Sequence, residues 1–265
     1  MTSHDITDPA PLPRIGRVTL NELWACLAMG VADFRRAPAF GLFFSAVYVF
    51  GGFGMLWIGA GHVTWTLATA LGFPLAAPFA AVGLYEVSRR LEADQPLVWS
   101  EVLGVVWAER GRQIPWMGAL IVFYFLFWTF LAHIIFALFM GLSAITNIST
   151  DLSVLWTAAG LRMIAAEVVV GAVLAFLLFS LTVVSLPLLL EREVDFVTAM
   201  ILSVRTVNEN LGVMLVWAGV IASLTFLALV PWFLGLVVVL PVLGHATWHL
   251  YRRALYDAPR RGMPT

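Results

Sequence analysis

Apolar residues along this chain run in long uncharged windows separated by short charged intervals, and each window can be measured against a bilayer. A hydrocarbon core of about 30 Å takes roughly 20 residues of α-helix. Residues 37–85 carry no formal charge, which is room for two spans near 38–58 and 64–85, with GAGHVT at 59–64 as the turn between them. Residues 113–150 hold one long span, 114–141, followed by a polar outer segment. The window 168–190, bounded by Glu167 and Glu191, is a single span. Residues 210–251 fit two more, near 211–229 and 232–250, if the chain reverses at Pro231. The pattern predicts an all-α polytopic membrane protein with six transmembrane helices.

Between the windows lie three stretches too charged to span, each with apolar residues at helical spacing, and these read as interfacial amphipathic helices. One face of the first carries Leu20, Leu23, Trp24, Leu27, Val31 and Phe34. The second presents Trp99, Val102, Leu103 and Val106, with Ser100, Glu101 and Glu109 among its polar positions. The third sets Val197, Met200, Ile201, Val204 and Val207 towards lipid or the bundle, opposite Asp195, Arg205 and Glu209. Surface helix followed by hairpin suggests a threefold internal repeat over 17–96, 97–193 and 194–253. Pro38, Pro115 or Gly212 opens each odd span, and Pro78, Pro187 and Pro241 mark the even ones. A ladder of small residues, Gly72, Ala76 and Ala80, is a packing face in the second span. Residues 1–16 and 254–265 are expected to be cytoplasmic tails, the first disordered, around a single membrane domain at 17–253.

Composition agrees with the pattern and charge orients it. The chain has 265 residues, 61% hydrophobic and only 12% charged, where soluble domains carry about 25% charged residues. All 15 basic residues are arginine. Arg14, Arg17, Arg35, Arg36, Arg89, Arg90, Arg110, Arg112, Arg192, Arg205, Arg252, Arg253, Arg260 and Arg261 fall on one side of the six-span arrangement, and Arg162 alone falls on the other. Basic residues stay on the cytoplasmic side, so both termini are expected there. Arginine-only basic usage with abundant Ala, Val and Gly points to a GC-rich bacterial genome and hence to a bacterial inner membrane. Membrane lipids are the expected partners, while a net charge of −1 without a basic stripe excludes nucleic acid. The N-terminal MTSHDITDPAPLPR has no apolar core, so no cleavable signal peptide is expected.

Candidate chemistry is sparse. His133 lies about 27 Å along the third span from Pro115 by helical rise, and Glu167 opens the fourth from the same outer side. A His133–Glu167 pair would be a proton-linked or metal-binding site, or an outer-interface hydrogen bond. His245 and His249, spaced i, i+4, share a helix face. With Glu86 and Glu191, which end the second and fourth spans, they form a candidate cytoplasmic-side cluster, or else they sit in the interfacial belt beside Trp248 and Tyr251. The single cysteine, Cys26, excludes multi-cysteine zinc and iron–sulfur sites. Bis-histidine haem ligation fails on depth: His133 is near the outer face and His245 in the inner half, while His62 is a loop residue. No cofactor is expected. With no GxSxG, HExxH, P-loop or dinucleotide fingerprint in a workable context, no enzyme activity is expected either.

Two segments, VADFRRAPAFGLFF and LPLLLEREVDFVTAMILSVRTVNENLGVMLVW, resemble the bacterial integral membrane family known as domain of unknown function 2189. The second is the more specific, and the resemblance extends over about Leu20 to Tyr251. Members of that family have been labelled cytochrome c oxidase proteins, which implies a respiratory context, but the family supplies no catalytic residues to carry over. A catalytic haem–copper subunit needs six histidine ligands, and this chain has five histidines, His4 among them in the N-terminal tail. The resulting expectation is a non-catalytic accessory, assembly or scaffold component among other membrane proteins of a respiratory or assembly complex. The alternative is a small-solute or lipid transporter.

Overall fold

A computed structural model describes residues 13–58, 63–141 and 155–257, with side chains placed except at 52 and 55–76. The 59–64 turn except for Val63 and Thr64, the Gly72 and Ala76 side chains, His4, His62 and most of both tails therefore lie outside the described residues.

Every regular element among the described residues is helical. In chain order they are α1 (Leu20–Arg36), α2 (Pro38–Ile58), α3 (Val63–Glu92), α4 (Trp99–Glu109), α5 (Ile114–Met140), α6 (Ala158–Thr182), α7 (Ser185–Glu191), α8 (Phe196–Glu209), α9 (Leu211–Leu229) and α10 (Leu236–Arg252), closed by a π-helical turn at Arg253–Asp257. Three stretches among them are long and apolar enough to cross a membrane: Ile114–Met140, Ala158–Glu191 and Leu211–Leu229. Helices α2, α3 and α10 occupy the other windows, α2 contributing a shorter apolar run at Pro38–Gly51.

Each boundary has a local cause. Thr19 starts α1 with a capping box, its hydroxyl accepting from the Glu22 N–H while the Glu22 carboxylate accepts from the Thr19 N–H. Thr157 and Asp195 cap α6 and α8 one way, their side chains accepting from the Gly160 and Thr198 N–H groups. Helix α3 runs seven residues past the expected end of its span and carries Glu86, Arg89 and Arg90 out with it.

The expected fourth span, 168–190, needs correction. The helix begins ten residues earlier, at Ala158, and breaks before Ser185. Two features make the break. Pro187 has no N–H to continue the ladder, and the Ser203 hydroxyl of α8 inserts where the Val184 N–H would have met the Ser180 carbonyl. It accepts from the Val184 N–H at 3.1 Å and donates to the Ser180 carbonyl at 2.7 Å. Glu167 consequently sits well inside α6 rather than at its opening.

The reversal at Pro231 is present. Trp232 and Phe233 turn the chain at φ 55° and 65°, and Gly235 lies so close to Ala228 that a Cβ would fall 2.6 Å from its Cα.

Helix α1 docks along α10 rather than lying free on the surface. Its buried positions are Leu23, Cys26, Gly30 and Asp33, whereas Leu20 and Trp24 of the expected apolar face point outward, 46% and 48% exposed. Gly30 makes the approach possible, since a Cβ there would stand 2.6 Å from both the Ala246 nitrogen and the Val242 carbonyl oxygen. Helix α8 divides its apolar residues in the same way, burying Met200 and Val207 and exposing Val197 and Ile201. In α4, Val102 is buried while Trp99, Leu103 and Trp107 are exposed.

The packed core gathers at the arginine-rich end, around Leu23, Leu188, Trp217, Trp248 and Tyr251. The stretch before α1 is tied there too. The Gly16 N–H donates to the Ala254 carbonyl, and Asn210 accepts from the Val18 N–H while donating to the Gly16 carbonyl.

Candidate functional site

The densest buried polar grouping lies where α1, α3 and α10 meet, and its centre is Asp33. Ser88 of α3 donates its hydroxyl to Asp33 Oδ2 at 2.8 Å. His249 Nε2 stands 2.8 Å from the same oxygen. Ser88 Oγ is also 2.8 Å from His245 Nδ1. A hydroxyl has one hydrogen, and Ser88 gives it to Asp33, so His245 Nδ1 carries the proton of the second bond. That leaves His245 Nε2 as a buried lone pair with no partner among the described residues. Burial pushes the Asp33 carboxyl up, but the bonds from His249 and Ser88 outweigh it and hold the group below the usual carboxylate range.

Serine, histidine and aspartate together invite comparison with a hydrolase triad, and the order of contacts rejects it. A triad places histidine between the other two, with serine open to substrate. Here Ser88 is the middle member, and Ser88 and His245 are fully buried. The grouping bonds three helices to one another.

The expected pairing of His245 and His249 with Glu86 and Glu191 is therefore corrected. The two histidines do share a face, but Asp33 and Ser88 meet them. Glu86 precedes Ser88 by two residues, about 200° around the helix, and faces the opposite way. Fully buried, it binds Arg89 Nε and Arg90 Nε, each at 2.7 Å, and Arg90 continues to Glu101 of α4. Glu191 likewise meets Tyr251, two residues beyond His249, and accepts from Arg252 at 2.7 Å. Arg252 reaches on to Glu92, which also accepts from the Trp248 indole at 2.8 Å. Arg253 pairs with Glu22, adding a second link between α1 and the end of α10. Among the described residues no three His, Cys, Asp or Glu side chains are arranged to hold a metal ion.

On the other side of the molecule, His133 and Glu167 are not bonded to each other. His133 is exposed, its Nδ1 2.7 Å from the Thr129 carbonyl of its own helix. Glu167 lines a cleft between α5 and α6 with Trp128, Leu131 and Ile135.

A family model described as a predicted integral membrane protein (DUF2189) matches residues 64–191. The match takes in just under half of the chain, and over those residues the chain is similar to that family. The DUF2189 match runs from α3 through α7, a shorter reach than the expected Leu20 to Tyr251. Of the two resembling segments it takes in only LPLLLE of the second. Asp33, His245 and His249 lie outside it, while Ser88, Glu86, Glu167 and Glu191 lie inside. No curated protein and no solved structure matches the chain.

Asp33 and Ser88 are the candidate-site residues that the sequence did not single out, and Asp33 alone carried a signal. It belongs to the stripe Leu23, Cys26, Gly30, Asp33, which rotates away from the larger apolar residues of α1. A lone acid in register with small residues was the available signal.

Proposed function

We propose that this chain is a six-span bacterial inner-membrane protein with cytoplasmic termini, acting as a non-catalytic accessory, assembly or scaffold component. The observation that carries the reading is how the buried polar groups at the arginine-rich end are used. Asp33, Ser88, His249, Glu86 and Glu191 are bonded between or along helices. Rigid framework is what such bonding produces. The surfaces left over are the outward apolar residues of α1, α4 and α8, beside arginines suited to anionic lipids. Helix order supports a threefold unit: an amphipathic helix precedes two apolar ones at α1–α3, α4–α6 and α8–α10.

Affinity purification from native membranes, with co-eluting proteins identified and the optical spectrum recorded, tests the assignment. Stoichiometric membrane partners are the expected result, and a protein that stays alone in mild detergent counts against it.

Transport is favoured by a separate observation, the Glu167 carboxylate inside an apolar helix pair. Flux into proteoliposomes that Glu167→Gln abolishes would place transport above the scaffold reading.

A further inference from the structure

Helices α5 and α6 leave the packed end of the molecule as a pair, held together by contacts such as the Tyr124 hydroxyl donating to the Leu174 carbonyl at 2.7 Å. Their outward surface is apolar over a long distance. On α5 exposed residues run from Trp116 to Phe139, and on α6 from Leu161 to Leu177. Glu167 interrupts this surface. Leu161 and Ile164 are exposed on one side of it in sequence and Val168, Val169 and Val173 on the other. Its level on α5, near Ala132, is about 10 Å short of Phe139 by helical rise. The carboxylate is thus within the apolar belt, towards the end away from the arginines.

The cleft Glu167 lines has a volume of about 190 Å³. Trp128 faces it across the helix pair, Leu131 and Ile135 supply apolar wall, and Gly171 keeps the floor open, with the Trp128 ring 3.5 Å from where a Cβ would stand. Among the described residues nothing hydrogen-bonds or pairs with Glu167. The two nearest ionisable groups on these helices are turned onto their own backbones: Arg162 Nε donates to the Ala158 carbonyl at 3.0 Å, and His133 lies against the Thr129 carbonyl at 2.7 Å.

An unpaired carboxylate in such a setting calls for a cation. A tryptophan face adds attraction for an organic cation in particular. Because the cleft is bordered by lipid-exposed residues, its occupant arrives from the bilayer. We infer that the α5–α6 cleft binds the primary ammonium headgroup of a phospholipid, with Glu167 accepting its N–H groups and Trp128 flanking it. A primary ammonium has three donors for the carboxylate, which a trimethylammonium headgroup lacks. Anionic lipids carry the wrong charge. The inference stands independently of whether the protein has partners or transports anything.

The test is calorimetric titration of the purified full chain in a maltoside detergent with dihexanoyl phosphatidylethanolamine. Dihexanoyl phosphatidylcholine, dihexanoyl phosphatidylglycerol and hexylammonium are titrated in parallel. Saturable binding of the ethanolamine lipid is expected, about tenfold weaker after Glu167→Gln and weaker also after Trp128→Leu. Equal binding of all three lipids to the unaltered protein overturns the inference, and that arm needs no variant to fold. So does unchanged affinity in a Glu167→Gln protein with the parental melting temperature. Hexylammonium binding as tightly as the ethanolamine lipid overturns the lipid assignment in favour of a soluble amine.

Discussion

Asp33 and Glu109 are both buried acids of the surface helices, and their surroundings give them opposite pH behaviour. Bonds from His249 and Ser88 hold Asp33 below its ordinary value. Its contribution to stability is present above the unfolded carboxylate pKa, about 4, and is lost as pH falls through the lowered folded value. Glu109 has one oxygen on Arg112 at 2.5 Å and the other buried with no partner among the described residues. Burial raises it, against the pull of Arg112. Its contribution is present below the unfolded value and declines as pH rises through the raised one. Melting curves against pH should show Asp33→Asn removing an acid-side loss and Glu109→Gln removing a decline towards neutral pH. At neutral pH, Asp33→Asn should cost about 3 kcal/mol, because it strips a buried carboxylate from its histidine partner; chemical unfolding in detergent measures it. The histidine half of this grouping was legible from i, i+4 spacing alone. Its partners were not, because spacing along one helix says nothing about which face of another helix comes to meet it. Glu86 and Ser88 are two residues apart, and only packing decides between them.

At the scale of elements, the charge-free windows located α2, α5 and α9 nearly to the residue, since lipid-length apolar runs leave little freedom in where a helix lies. The same measure failed at α6. Glu167 suggested a boundary, yet it is accommodated inside the helix, as is Arg162, and a serine from α8 rather than any charge interrupts its far end. Ser203→Ala should leave the buried Val184 N–H without its acceptor and cost about 1–3 kcal/mol. Pro187→Ala should cost less, because the inserted hydroxyl still holds the break open; unfolding curves of the two variants decide the order. The docking of α1 was equally hidden, its largest apolar residues facing outward while Gly30 and Cys26 face α10. Gly30→Ala should force the helices apart at a backbone contact. Cys26, the only cysteine and 2% exposed, reports on it directly. Maleimide labelling should speed up by roughly tenfold, the equivalent of about 1.4 kcal/mol of opening.

For the whole molecule, the proposed six-span arrangement makes a sharp topological prediction. Reporter fusions at either end, and cysteines introduced at 14 and 205 in a Cys26→Ser background, should all read as cytoplasmic, and one at 162 should read as periplasmic. A mixed result would remove the six-span arrangement while leaving the three strongly apolar helices in place. The arginine-rich end also closes in a particular order. Gly16, Glu22, Gly30 and Asp33 find their partners at Ala254, Arg253, Ala246 and His249. Helix α1 thus has its seat on α10, a helix that is made long after it. Until α10 is made, α1 waits with its glycine face and its cysteine uncovered. A product stalled before α10 would carry that face bare, so the packing of the earlier helix depends on synthesis of the later one.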